Sequence, residues 1–190
     1  MARELRDDAE EGKGDRSGDD AAMNDAVPPP NRVPWPPLIV LAAAGTAFGL
    51  GIILPMPDWL YHPLWSVPGW ALMATGLGLD LAAIRTMRRH RANILPHRAA
   101  TALVTTGPFA WSRNPIYLGN TLLLAGAAFA FHNPWFLPAA LAAALAVTPL
   151  AIRREEAHLA RVFGSEWESY RRRTARWFGR SGSPRAPGEK

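Results

Sequence analysis

Residues 135–156 read WFLPAALAAALAVTPLAIRREE, a run of eighteen residues without a charge, closed by two arginines and two glutamates. At a rise of ~1.5 Å per residue the uncharged part spans ~27 Å as a helix, close to the ~30 Å hydrocarbon thickness of a bilayer. Its apolar residues surround the helix instead of forming one stripe, so a soluble bundle would leave an apolar face in water. Three further stretches have the same character: Leu38 to Leu54, about Val67 to Ile84, and Ile116 to Phe131. The sequence therefore predicts an all-α, multi-pass membrane protein with about four transmembrane helices. Arg153 to Phe163 continues as an amphipathic helix that stops at Gly164. Ser165-Glu166-Trp167-Glu168 fits a capping box opening another helix through Tyr170 to Trp177, and both helices are expected at the membrane interface.

The distribution of arginine orients these spans. Arg85, Arg88, Arg89, Arg91, Arg98 and Arg113 lie between the second and third, and Arg153, Arg154, Arg161 and Arg171 to Arg173 follow the fourth. Pro55 to Ser66 and His132 to Pro134 contain no Lys or Arg. The positive-inside rule then puts both termini and the central loop in the cytoplasm, with Trp59, Tyr61, Trp65 and Trp70 suited to the opposite interface.

The 190-residue average conceals two kinds of chain, because Met1 to Asp25 holds nine acidic against four basic residues while the remainder is strongly basic. Residues 1–33, acidic and ending near Val27-Pro28-Pro29-Pro30, have too little apolar surface to offset the entropy of ordering and are expected to be a disordered tail. The folded domain is expected over 34–178, with a flexible tail over 179–190. Arginines beside long apolar runs suit membrane lipid headgroups and insertion topology better than nucleic acid. Absence of Cys excludes disulfides, thiolate metal sites and a cysteine nucleophile. The histidines have no metal-ligand spacing, so no metal is expected.

Two polar clusters fall on the cytoplasmic side. Gly107-Pro108 signals a turn and Asn114-Pro115 a helix start, with Asn as the cap and Pro in the first helical position. From there Asn114, Tyr117 and either Asn120 or Thr121 share one helix face, which should look into the bundle toward a pocket or a neighbouring helix. The second cluster is Arg153-Arg154-Glu155-Glu156. Adjacent helix residues diverge by ~100°, so one carboxylate can face the bundle while the other meets an arginine or water. Asp80, within the second span, has Arg85 and Arg113 as possible neutralising partners. Gly76-Leu77-Gly78 fits close packing of membrane helices, and His97 sits in a loop.

Four motifs occur in order: Leu103-Val104-Thr105-Thr106-Gly107-Pro108-Phe109, Ser112-Arg113-Asn114-Pro115-Ile116-Tyr117-Leu118-Gly119, Arg154-Glu155-Glu156-Ala157-His158-Leu159, and Phe163-Gly164-Ser165-Glu166-Trp167-Glu168-Ser169-Tyr170. Together they resemble the C-terminal signature of the isoprenylcysteine carboxyl methyltransferase family and its relative, phosphatidylethanolamine N-methyltransferase. The resemblance implies S-adenosylmethionine as cofactor, held between the membrane helices and the C-terminal segment, and a lipophilic or small-molecule methyl acceptor. It implies cofactor binding by Arg113, Asn114, Tyr117, Glu155 and Glu156, joined by His97, Gly76 and Gly78, with Arg153 and Glu156 as candidate catalytic residues. The eukaryotic isoprenylcysteine enzymes usually have His where this chain has Asn114, so a prenylated thiol or carboxylate, a phospholipid amine and a small thiol all stay open as acceptors. A nicotinamide-dependent sterol-reductase-like enzyme and a non-catalytic membrane scaffold or sensor are the other readings.

Overall fold

The computed structural model describes residues 35–54, 62–93 and 100–179, and among these all regular structure is helical. The acidic tail expected over residues 1–33, and nearly all of the C-terminal tail, lie outside the described residues. The chain forms α1 (Trp35–Ile53), α2 (Ser66–Arg89), α3 (Pro115–Ala130), α4 (Phe136–Val147) and α5 (Arg153–Arg173). Short tight turns at Pro63–Trp65 and Gly107–Ala110 lead toward α2 and α3. Helical stretches over Pro36–Ile53, Pro63–Arg89 and Phe136–Arg173 are long and apolar enough to cross a membrane. The third expected span is the shorter apolar helix α3, whose 16 residues extend ~24 Å.

Small residues let α2 and α3 approach closely. A Cβ on Gly76 would lie 2.6 Å from the Gly119 carbonyl oxygen, and one on Gly126 would lie 2.8 Å from that of Gly69. The two glycine pairs each repeat after seven residues, two helical turns, so both touch along one antiparallel contact. On the other flank of α3, helices α1 and α4 close a core of Ala47, Leu124, Ala127, Phe136, Ala140 and Ala143. Helices α1 and α2 have little contact with each other. Outward-facing Phe48, Ile52, Leu77, Leu141 and Leu145 are exposed, the reverse of a water-soluble bundle.

The fourth expected span, Trp135 to Ile152, runs on into the amphipathic helix expected after it. Backbone helix continues from Phe136 to Arg173 through a wider turn at Thr148–Ile152. Pro149 lies in that turn, where its missing N–H removes one helical hydrogen bond. The expected break at Gly164 is present as a kink, with φ 49° and ψ −116°, a positive-φ conformation that glycine adopts without steric penalty. Beyond Arg173, Thr174 is extended, and the segment 174–179 folds back as a strap over the start of α3.

Candidate active site

The start of α3 is fixed by the strap, not by the cap that the sequence suggests. Asn114 stands at the N-cap position without capping the helix through its side chain. Its Nδ2 donates instead to the Arg176 carbonyl at 3.0 Å, while Ser112 Oγ accepts from the Asn114 backbone N–H at 3.0 Å. Two backbone bonds complete the seam: Arg113 N–H donates to the Ala175 carbonyl at 3.0 Å, and Gly179 N–H to that of Trp111 at 2.9 Å. Tyr170, on α5, donates its hydroxyl to the Phe109 carbonyl at 2.7 Å. Loop, helix start and the segment 174–179 are thereby held as one unit.

One turn into α3, the Tyr117 hydroxyl donates to Glu155 Oε1 at 2.7 Å. The next residue, Glu156, turns toward the loop side, where Arg176 grips both of its oxygens through Nε at 3.0 Å and an Nη at 2.6 Å. Arg113 Nη1 lies 3.3 Å from the same carboxylate, within ion-pair range but without hydrogen-bond geometry. The Arg113 guanidinium also sits over the Trp167 ring, 5.6 Å from its centroid. Burial lowers the Arg113 pKa from its ordinary value, and Glu156 opposes the shift. The Glu156 hydrogen bonds raise that of Arg176. Both stay cationic throughout the physiological range.

Arg113, Tyr117, both glutamates and Trp167 border a cavity of about 600 Å³, within the range of roughly 300–1,000 Å³ usual for small-molecule sites. Arg113, Asn114, Tyr117, Asn120, Glu155 and Glu156 supply its polar wall. Val40 and Leu41 of α1 with Ile84 and Met87 of α2 supply the facing apolar wall, where those two helices stand apart. An Arg113 whose buried Nε and Nη1 atoms have no hydrogen-bond partner among the described residues suits an anionic ligand group, and Glu155 and Glu156 suit hydroxyls or amines. That donor and acceptor set fits S-adenosylmethionine, which carries a carboxylate, an amine and ribose hydroxyls.

The expected residues do not all meet here. Arg153 is exposed and outside the cavity wall. Gly76 is packed against α3, and Gly78 faces outward with nothing near a would-be Cβ. Their helix position explains the split, since residues two apart lie ~200° from each other. His97 lies outside the described residues. Asp80 stands over Gly119 at the α2–α3 contact, and its buried Oδ1 has no hydrogen-bond partner among the described residues. Of the two arginines expected as its neutralising partners, Arg85 and Arg113, the second pairs with Glu156 instead. Thr121 bonds back to the Tyr117 carbonyl at 2.8 Å, leaving Asn120 as the deeper polar group of the wall. Among the described residues no group of three metal-ligating side chains occurs.

Sequence inspection passed over Ser112, Trp167, Tyr170 and Arg176 as site residues. Trp167 and Tyr170 are three apart on one helix face, a spacing that could have marked them. Nothing in the sequence distinguishes Arg176 from the arginines around it.

A helical membrane protein with a largely apolar cavity that carries one polar wall is the class that fold and site define. Residues 64–166, more than half of the chain, match the phospholipid methyltransferase family, and the chain belongs to that family of membrane methyltransferases. The resemblance expected from the four motifs is thereby met. A curated relative, the nickel-cobalt-cadmium resistance protein NccN of Alcaligenes xylosoxydans xylosoxydans, is 36% identical over 111 residues, covering 58% of this chain and 51% of that protein. The chain thus spans about half the length of that relative. No solved structure matches the chain.

Proposed function

We propose that this protein is a multi-pass membrane methyltransferase that transfers the methyl group of S-adenosylmethionine to a lipophilic acceptor at the cytoplasmic rim of the bilayer. The observation that carries the proposal is a cavity with Arg113, Glu155 and Glu156 on one wall and apolar residues of α1 and α2 on the other. Family membership supports the reaction class.

When bound, the donor would supply a sulfonium-activated methyl group for in-line transfer, its S–CH3 bond breaking to leave a neutral thioether as the bond to the acceptor's nucleophile forms, with no covalent enzyme intermediate needed. The protein's task is to align the two partners and exclude water. Arg113, with unengaged donors and the adjacent α3 N-terminus, attracts the donor's carboxylate. Glu156 lies beside it to accept from amino or hydroxyl groups, and Tyr117 holds Glu155 at the polar wall. Arg153 is left out of this scheme because it points to the exterior. The gap between α1 and α2 offers the acceptor a lateral path from lipid, and its apolar lining suits a hydrocarbon chain. A prenylated thiol or carboxylate, a phospholipid amine and a small thiol are the acceptor classes to test. Exposed Arg85, Arg88, Arg89, Arg153 and Arg154 favour the cytoplasm for the cavity end.

Calorimetric titration of S-adenosylmethionine into the detergent-purified protein tests the reading. Saturable binding is expected, weakened about tenfold or more by Glu156→Gln. No binding by the unmodified protein would sink the methyl-donor assignment, and unchanged affinity in the variant would remove Glu156 from it. Membranes incubated with donor labelled in the methyl group would then identify the acceptor from the labelled product.

A further inference from the structure

Arg176 touches the proposed site from behind. Its guanidinium engages both oxygens of Glu156, and its own backbone carbonyl receives Asn114 Nδ2 at 3.0 Å and Ser112 Oγ at 3.4 Å. One residue of the strap therefore fixes a carboxylate on α5 and the first residues of α3 together. It does not border the cavity, and it lies beyond residues 64–166, the part of the chain that the family match covers.

The consequence concerns Arg113. With both Glu156 oxygens already held by Arg176, Arg113 Nη1 comes within ion-pair range of the carboxylate without hydrogen-bonding to it, and neither its Nε nor its Nη1 has a hydrogen-bond partner among the described residues. Remove the Arg176 guanidinium, and Glu156 keeps Arg113 as its nearest cation. A buried carboxylate recruits such a neighbour fully, because an unpaired buried charge is costly. Arg113 would then turn toward Glu156 and away from a ligand anion.

We propose that Arg176 is a positioning residue of the methyl-donor site: it clamps Glu156 and the α3 start from the strap, and so keeps the Arg113 donors available to the donor's carboxylate. This rests on the methyl-donor reading given above. Arg176 acts through Glu156 and touches neither substrate nor donor.

The test is a double-mutant cycle in the full-length protein in detergent, comprising the unmodified chain, Glu156→Gln, Arg176→Gln and the double variant, with Arg176→Lys as the conservative control. S-adenosylmethionine affinity by calorimetry and the thermal unfolding midpoint are read for each. Arg176→Gln is expected to weaken donor binding about tenfold, Arg176→Lys to recover part of the loss, and the double variant to bind about as weakly as Glu156→Gln alone. A purely structural role would lower the midpoint and leave the two affinity losses multiplicative. Donor binding within about twofold of the unmodified protein in Arg176→Gln, or multiplicative losses in the double variant, would overturn the assignment. Should Arg176→Gln not fold, Arg176→Lys decides: an affinity between those of the unmodified protein and Glu156→Gln supports the clamp, and an unchanged one overturns it. Absence of donor binding by the unmodified chain would instead overturn the methyl-donor reading, and this inference with it.

Discussion

Gly76 and Gly78 are two residues apart in α2, yet alanine should act on them in opposite directions. A Cβ at Gly76 would sit 2.6 Å from the Gly119 carbonyl oxygen, 3.0 Å from the Leu123 amide nitrogen and 3.2 Å from Leu122 Cβ. Two of these neighbours are backbone and cannot rotate away. Restoring an ordinary contact of ~3.4 Å requires α2 and α3 to separate by ~0.8 Å, which loosens the whole glycine-lined contact and forfeits a quarter to a half of its dispersion attraction. Overpacking of this kind costs about 1–3 kcal/mol. At Gly78 a Cβ would meet nothing within 4 Å, so alanine there gains helix propensity worth up to about 1 kcal/mol. The two variants should therefore differ by ~1–4 kcal/mol, or ~2–16 °C in unfolding midpoint for a chain of this size. Thermal unfolding in detergent, followed by tryptophan fluorescence, measures the difference. Equal midpoints would refute the close-packing account of Gly76. S-adenosylmethionine affinity in Gly78→Ala is expected to stay within about twofold of the unmodified protein, and a tenfold loss would return Gly78 to the cofactor site.

Three further perturbations probe the site and the topology. Tyr117→Phe removes the donor to Glu155, and loss of a hydrogen bond to a carboxylate should lower stability by about 1.5–3 kcal/mol, read as a reduced unfolding midpoint; an unchanged midpoint would mean that the pair is not formed. Asn114→Ala removes the shorter of two hydrogen bonds to the Arg176 carbonyl, and at about 1 kcal/mol the strap should open roughly fivefold more often, seen as faster limited trypsin cleavage after Arg176; an unchanged rate would show that Asn114 does not hold the strap. Because the chain has no Cys, single cysteines report sidedness directly. His62→Cys should react with a membrane-impermeant maleimide in intact cells and Arg88→Cys only after permeabilisation, and the reverse pattern would invert the proposed orientation.

The helical class and the positions of the membrane helices were legible in the sequence because lipid imposes a simple rule. Every backbone polar group must be satisfied within its own segment, so a long uncharged run has little choice but helix, and its length can be counted. Asn114-Pro115 marked the start of α3, and the Gly164 kink was readable because few other residues tolerate a positive φ. The four motifs were enough to name the family.

What the linear chain left undecided was which partner each polar group takes. Asn114 could cap its own helix or reach another segment, and the choice fell to a carbonyl 62 residues later. Glu155 and Glu156 are neighbours in sequence, but Tyr117 claims one while Arg113 and Arg176 surround the other, an outcome set by how α5 turns after the wide turn at Pro149. Gly76 and Gly78 fit one short motif and end on opposite sides of α2. Local sequence determines what a segment can become, since backbone satisfaction and burial of apolar surface are settled within a few turns. The partnership of charges needs the fold, because it depends on distances between segments that only helix packing brings within reach.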